Sequence, residues 1–274
     1  MRNYESKSFE KFFFGSTRGV RRRGDLVKHQ WVMRLLHYVR NDRGSIFQSS
    51  QRLLRSTRND PLKKYAAVFL DRDGTINEEV GYLDSLDKLR LFENTAEAIR
   101  LINENGMKAV VITNQSGVAR GYFTEDFVKT VHRQMQETLQ ERGAFLDGFY
   151  YCPHHPTEGI GSYLKVCPCR KPEPGMLITA AEELNIDLNR SYAVGDMLKD
   201  IEAANRVGAK GILVKTGYGL KAMEKDLRRT PREYPPEEKG NPDASEKLQP
   251  DYIAEDILDA VIWIMRDRKI TTLR

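Results

Sequence analysis

Ala66-Ala-Val-Phe-Leu70 followed by Asp71-Arg72-Asp73-Gly74-Thr75 decides the fold: a short apolar run that stops at paired carboxylates. A run of this length, bounded by polar residues, suits a strand buried on both faces, and in open α/β sheets function collects just beyond such strand ends. Asp71 and Asp73 would emerge there together. One carboxylate can attack phosphorus as a nucleophile. The second, its pKa raised by the neighbouring charge, can protonate the leaving oxygen and later activate water. Gly74 lets the backbone turn sharply beside a ligand.

The pattern repeats outward from this strand. Asn94 to Asn105 has Ala98, Leu101 and Ile102 on one helical face, with Gly106 placed to end it, and Met107 to Thr113 reads as the next strand. Thr124, then Glu125 and Asp126, starts a helix whose apolar stripe runs to Leu139 before Gly143. Phe149 to Tyr151 is a strand. Pro174 sits in the first turn of a helix reaching Leu184, and Tyr192 to Val194 is a strand. A helix over Asp200 to Val207, a strand over Gly211 to Val214 and a closing helix around Ala254 to Arg268 complete the series. This β-then-α order predicts a Rossmann-like three-layer α/β/α sandwich on a mainly parallel sheet with right-handed crossovers.

Three strand ends carry polar groups at matching depth: Asp71, Thr113 and Asp196. Asp-x-Asp alone is commonly a turn or cap, and Gly195-Asp196 alone an ordinary turn, so only their joint arrangement points to a site. An anionic nucleophile meeting a phosphate faces repulsion of about 4 kcal/mol per charge pair at about 4 Å and intermediate dielectric, so cations are required. Magnesium prefers carboxylate oxygens, and Asp196 can reach the same site as Asp71, with Asp200 one turn on available to a metal-bound water. Thr113-Asn114-Gln115-Ser116-Gly117 offers a hydroxyl, amides and N–H groups for phosphate oxygens. Lys171 can neutralise phosphate and nucleophile, and Arg170 can grip a substrate anion in bidentate fashion.

All three cysteines fall between Cys152 and Cys169. Cys152-Pro-His154 with Cys167-Pro-Cys169 gives three sulfurs and an imidazole, a set that suits a closed, structural tetrahedral zinc in a short loop, with His155 a spare candidate. Cys169 is bonded directly to Arg170-Lys171, so a zinc here would fix the loop that carries both cations.

The 274 residues, 40% of them apolar, can fill the core of one large domain. The net charge of +5 is uneven: residues 1 to 64 hold 16 Lys/Arg against 5 Asp/Glu, a net of +11, which leaves −6 for residues 65 to 274. The basic extension, flexible or partly helical around Trp31 to Val39, is a candidate contact for nucleic acid or an anionic surface. Residues 219 to 250 are rich in charge, Pro and Gly and read as an insertion. No run approaches the roughly 18 apolar residues of a membrane span, and a cytoplasmic monomer is expected.

With these residues in place, the chain resembles the haloacid dehalogenase-like phosphatases, whose four motifs match Asp71-Arg-Asp73, Thr113, Lys171 and Gly195-Asp196. Phe69 to Asn77, Thr113 to Gly121, and Cys152-Pro-His-His-Pro156 with Cys167 to Pro172 are similar to the heptose bisphosphate phosphatases within them, from about Tyr65 to Gly217. The resemblance implies hydrolysis of the C7 phosphate of D-glycero-D-manno-heptose 1,7-bisphosphate through an aspartyl-phosphate, in nucleotide-activated heptose synthesis. It implies Asp71 as nucleophile, Asp73 as acid and base, and Thr113 and Lys171 on the phosphoryl group. Magnesium would be held by Asp71, the Asp73 carbonyl and Asp196. Substrate contacts would come from Glu79, Val80, Gly81, Tyr82, Asn114, Gln115, Ser116 and Arg170. The family often has Lys where this chain has Met197.

Histidinol-phosphate phosphatase is a related alternative, set apart by the fourteen residues between Cys152 and Cys167. A DNA 3′-phosphatase fits poorly with an acidic body that has no aromatic-basic groove. A nucleic-acid or membrane-surface adaptor on an inactive fold would have no physical need for both Asp71 and Asp73.

Overall fold

The computed structural model describes residues 64–224 and 249–269. Among these, six parallel strands form one sheet in the order β3-β2-β1-β4-β5-β6. They are β1 (Ala67–Leu70), β2 (Lys108–Asn114), β3 (Gly148–Cys152), β4 (Tyr192–Gly195), β5 (Lys210–Val214) and β6 (Tyr252–Ala254). The principal helices are α1 (Thr95–Glu104), α2 (Glu125–Glu141), α3 (Gly175–Leu184), α4 (Leu198–Asn205) and α5 (Ile257–Asp267).

Every side chain of β1 is fully buried, which is why the quoted run is continuously apolar rather than alternating. Its two faces feed two separate cores. Val68 and Leu70 pack with Ile99 and Ile102 of α1, Met135 and Leu139 of α2, and Val261 and Ile264 of α5. Ala67 and Phe69 pack with Met176 and Leu177 of α3 and Ala203 and Ala204 of α4. Each large aliphatic buried in this way contributes about 1.5–3 kcal/mol, so the three-layer sandwich follows from the two apolar faces of the sheet.

Local signals place the helix ends. The Thr124 hydroxyl accepts from the Phe127 N–H at 3.2 Å at the head of α2, and Gly106 and Gly143 take left-handed backbone just past α1 and α2. Because β2 and β4 flank β1 on opposite sides, the chain direction of strand addition reverses at β1. A crevice opens there at the carboxyl ends.

Three expectations change. Residues 252–254 are the edge strand β6, paired in parallel with β5 (Leu213 beside Ile253), and the closing helix starts at Ile257. Asp256 fixes that start by accepting from the Leu258 and Asp259 N–H groups at 2.9 and 3.0 Å. Three residues, two half-buried and Ala254 buried, give too short a run to separate from the helix that follows. Pro174 stands at the cap position before α3, which begins at Gly175, and α4 begins at Leu198 rather than Asp200. Of the expected insertion, Gly219–Ala222 forms one helical turn and residues 225–248 lie outside the described residues, as does the whole extension to residue 63 with its expected helix.

Candidate active site

Asp71 continues directly from β1, and its N–H still donates to the Val194 carbonyl at 2.9 Å, so the sheet itself aims the first carboxylate. Lys171 meets it from the loop before α3. The ammonium, with no side-chain surface exposed, donates to Asp71 Oδ1 at 2.8 Å and the Ile112 carbonyl at 2.8 Å, and pairs with Asp200 Oδ1 at 2.7 Å. Its backbone is held by Asn114 at the end of β2. Burial works against the charge on Lys171, but the two aspartates outweigh it and hold the ammonium above its ordinary pKa.

Asp196 follows β4. Its Oδ2 accepts from the Tyr218 N–H at 2.8 Å and lies against Gly74 and Gly217, where a Cβ on either residue would come within 2.2 Å of it. Both glycines have positive φ, 82° and 56°, so backbone conformation and space alike demand them. Carboxylate oxygens of Asp71, Asp196 and Asp200 lie within 4.8 Å of one another, all three residues buried. Burial raises Asp71 above the usual carboxylate range, with Lys171 opposing. Burial, and then the charge of Asp71, pushes Asp196 up to about 8. Three carboxylates around one lysine leave an excess of negative charge in oxygen ligands alone. That donor set fits a divalent cation such as magnesium.

Asp73 behaves differently from the sequence expectation. Burial would raise it, but Arg72 takes its carboxylate with Nε at 3.0 and 3.1 Å and Nη2 at 2.7 Å. Asn77 and Gln115 add amide donors at 3.0 and 2.9 Å. The net result is a carboxyl held below its ordinary pKa, because its nearest charged neighbour is a cation and not Asp71. Gln115, expected at the substrate, is buried, and its amide also donates to the Thr113 hydroxyl at 2.9 Å and accepts from Arg72 at 3.0 Å. Arg72 and Asn77, which no spacing rule singled out, thus set the orientation of Asp73.

A cavity of about 290 Å³ opens over these groups. Asp71, Asp73, Thr113, Lys171 and Asp196 line it. Of the expected substrate residues, Glu79, Gly81, Tyr82, Asn114, Gln115 and Ser116 line it as well. Val80 and Arg170 are not among the lining residues, and Arg170 Nη1 donates to the His154 carbonyl at 3.0 Å. Tyr82 meets Tyr122 edge to face, ring centroids 4.7 Å apart. Met197, Lys199 and Tyr218 also line the cavity, and only the first had drawn attention in the sequence.

Beside the cavity, Cys152 at the end of β3 lies with Cys167, Cys169 and His154 in one cluster. The sulfurs are 3.0–3.4 Å apart, and His154 Nδ1 lies 3.4 Å from Cys169 and 3.7 Å from Cys152. All three cysteines are free. His155 points its Nδ1 instead at the Thr157 and Glu158 N–H groups. The hydrogen bond between Cys169 and Cys152 brings Cys169 down to about 5, toward the thiolate that a metal takes, so the four donors fit a tetrahedral zinc. Glu125, the first residue of α2, accepts from both Tyr151 and Tyr163 and so ties this loop to the body.

Among the described residues no helix is long and apolar enough to cross a membrane. The profile of the haloacid dehalogenase-like hydrolases matches residues 29–208, and a second, HAD-hydrolase-like profile matches residues 168–260. The chain is 49% identical over 152 residues to the D-glycero-beta-D-manno-heptose-1,7-bisphosphate 7-phosphatase of Pasteurella multocida, a match covering 55% of this chain and 82% of that one. It is 41% identical over 202 residues to the D-glycero-D-manno-heptose-1,7-bisphosphate 7-phosphatase of Thermosynechococcus vestitus, covering 72% and 94%. Among solved structures, the D,D-heptose 1,7-bisphosphate phosphatase of B. bronchiseptica, complexed with magnesium and phosphate, matches with a TM-score of 0.60 and 28% identity over 74% of this chain and 99% of that one.

Proposed function

The chain belongs to the haloacid dehalogenase-like hydrolases and is a phosphatase, and from that premise we propose that it removes the C7 phosphate of D-glycero-D-manno-heptose 1,7-bisphosphate. The observation that carries the substrate is the Cys/His loop joined to Arg170-Lys171, in a chain 41–49% identical to phosphatases of that name. The reading includes a place in nucleotide-activated heptose synthesis, a cytoplasmic monomer, and a catalytic domain over residues 65–274 with the basic extension outside it.

Asp71 attacks phosphorus as the bond to the sugar oxygen breaks, giving an aspartyl-phosphate, and Asp73 delivers a proton to the departing oxygen. Asp73 prefers the ionised form in the free protein. The negative charge of an arriving phosphate works in the opposite sense and favours its protonation. Water then attacks the aspartyl-phosphate, Asp73 takes its proton, and Asp71 is freed with inorganic phosphate. Lys171, already ion-paired with Asp71, and the Thr113 hydroxyl face the transferring group, so no reorganisation is needed as charge develops. Asp71 and Asp196, with the Asp73 carbonyl, would hold magnesium, which when bound neutralises phosphate charge as a Lewis acid. Cys152, His154, Cys167 and Cys169 would hold a structural zinc that keeps the Lys171 loop in place.

Asp71→Asn tests the reading: phosphate release from the heptose bisphosphate falls at least about a thousandfold. Release at the full rate would overturn it, as would a wild-type preference for histidinol phosphate or a 3′-phosphorylated oligonucleotide.

A further inference from the structure

Among the described residues four cations stand in or beside the cavity, and three are already engaged. Arg72 is buried and gripped by Asp73 and Gln115. Lys171 is enclosed by Asp71, Asp200 and the Ile112 carbonyl. Arg170 donates to His154 and does not line the cavity. Lys199 differs. It stands in the first turn of α4, lines the cavity, is only partly buried, and makes no hydrogen bond or ion pair with any other described residue. Its charge is still felt within the site: after burial, Lys171 and Asp200, it is the smallest of the influences on the Asp71 carboxyl.

A sugar bisphosphate brings a second anionic group that the cleavage machinery does not neutralise. An isolated ammonium on a flexible stem in the cavity wall is a suitable partner for such a group, since a lysine acts on phosphate as a point charge. We propose that Lys199 recognises the phosphate that is not cleaved and so confers preference for a bisphosphate over the matching monophosphate. This rests on the reading above that the substrate is a sugar carrying two phosphates. Met197 and Tyr218, which line the same cavity, offer no charge, so the discrimination falls on Lys199 among the described lining residues.

The test compares magnesium-loaded wild type, Lys199→Met and Lys199→Arg on two substrate pairs: heptose 1,7-bisphosphate with heptose 7-phosphate, and fructose 1,6-bisphosphate with fructose 6-phosphate. Loss of one charge-assisted contact predicts that Lys199→Met lowers kcat/KM for the bisphosphate about tenfold more than for its monophosphate, through KM, and that Lys199→Arg restores most of the difference. Equal losses on both members of a pair, or a bisphosphate preference that survives Lys199→Met, would overturn the inference. A wild type that ignores the heptose pair, yet loses its preference in the fructose pair on Lys199→Met, would overturn the substrate reading alone. A wild type that cleaves the heptose pair with no bisphosphate preference would overturn the inference alone.

Discussion

Asn114 holds the backbone of Lys171 from both sides: its Nδ2 donates to the Lys171 carbonyl and its Oδ1 accepts from the Lys171 N–H, each at 3.1 Å. Residues 57 positions apart are thereby locked in register, and the end of β2 fixes where the buried ammonium begins. Asn114→Ala removes two bonds of about 1 kcal/mol each. The expected outcome is a fall in kcat of about ten- to a hundredfold, with magnesium affinity retained, measured by phosphate release across a magnesium titration. Wild-type turnover would show that the contact is incidental to Lys171.

Gly74→Ala should damage the metal site rather than the fold. The added Cβ would stand 2.2 Å from Asp196 Oδ2, while the positive φ adds about 1 kcal/mol of backbone strain. Gly143→Ala is the control, because its φ of 74° carries the same strain and nothing lies within 4 Å of its Cβ. Gly74→Ala is expected to raise the magnesium concentration for half activation at least about tenfold, and Gly143→Ala to leave it unchanged. Matching magnesium responses in the two variants would sink this account.

Zinc should measure near one per chain in freshly purified protein and fall on Cys167→Ser. Because Cys169 adjoins Arg170-Lys171, the loss is expected to lower kcat by about ten- to a hundredfold through movement of Lys171. Metal analysis finding no zinc in the wild type would contradict the assignment.

His132 of α2 contributes a pH dependence to stability. It is buried, stacked on Phe149 at 4.6 Å, and burial, with Arg72 adding to it, brings its pKa from 6.5 to about 3. Between those values the unfolded chain binds a proton at this position and the folded chain does not. Stability therefore rises with pH across the window, is complete above 6.5, and is lost as pH falls toward about 3. Moving from pH 7 to about pH 4.5 should cost on the order of 2 kcal/mol through this residue alone. His132→Phe should flatten that part of the acid limb in urea melts; an unchanged limb would exclude His132 as its source.

Much of this was legible in the sequence because burial and catalysis leave strong marks on composition. The run Ala66 to Leu70 is apolar since both sheet faces are covered, and Asp71 and Asp196 break apolar runs where strands end. The Cys152 to Cys169 cluster was visible from its spacing, and its closeness in space agrees. What escaped depends on side-chain direction. Arg72 stands inside the quoted motif, yet nothing in the order of residues tells that it turns back onto Asp73 and reverses the expected direction of its pKa. Lys199 and Tyr218 join the site through helix phase and a backbone N–H, neither of which leaves a pattern. β6 was hidden because three residues are too few to carry a periodicity.

The enclosure of Lys171 has a bearing on covalent chemistry. With its side chain sealed from solvent and its proton held by two carboxylates, the amine is neither reachable nor nucleophilic. Reagents that acylate or glycate lysines can reach the partly buried Lys199 in the cavity wall and pass over the sealed Lys171. Electrophilic inhibitors aimed at this cavity's lysines would therefore label Lys199, leaving the buried ammonium intact for as long as the fold persists.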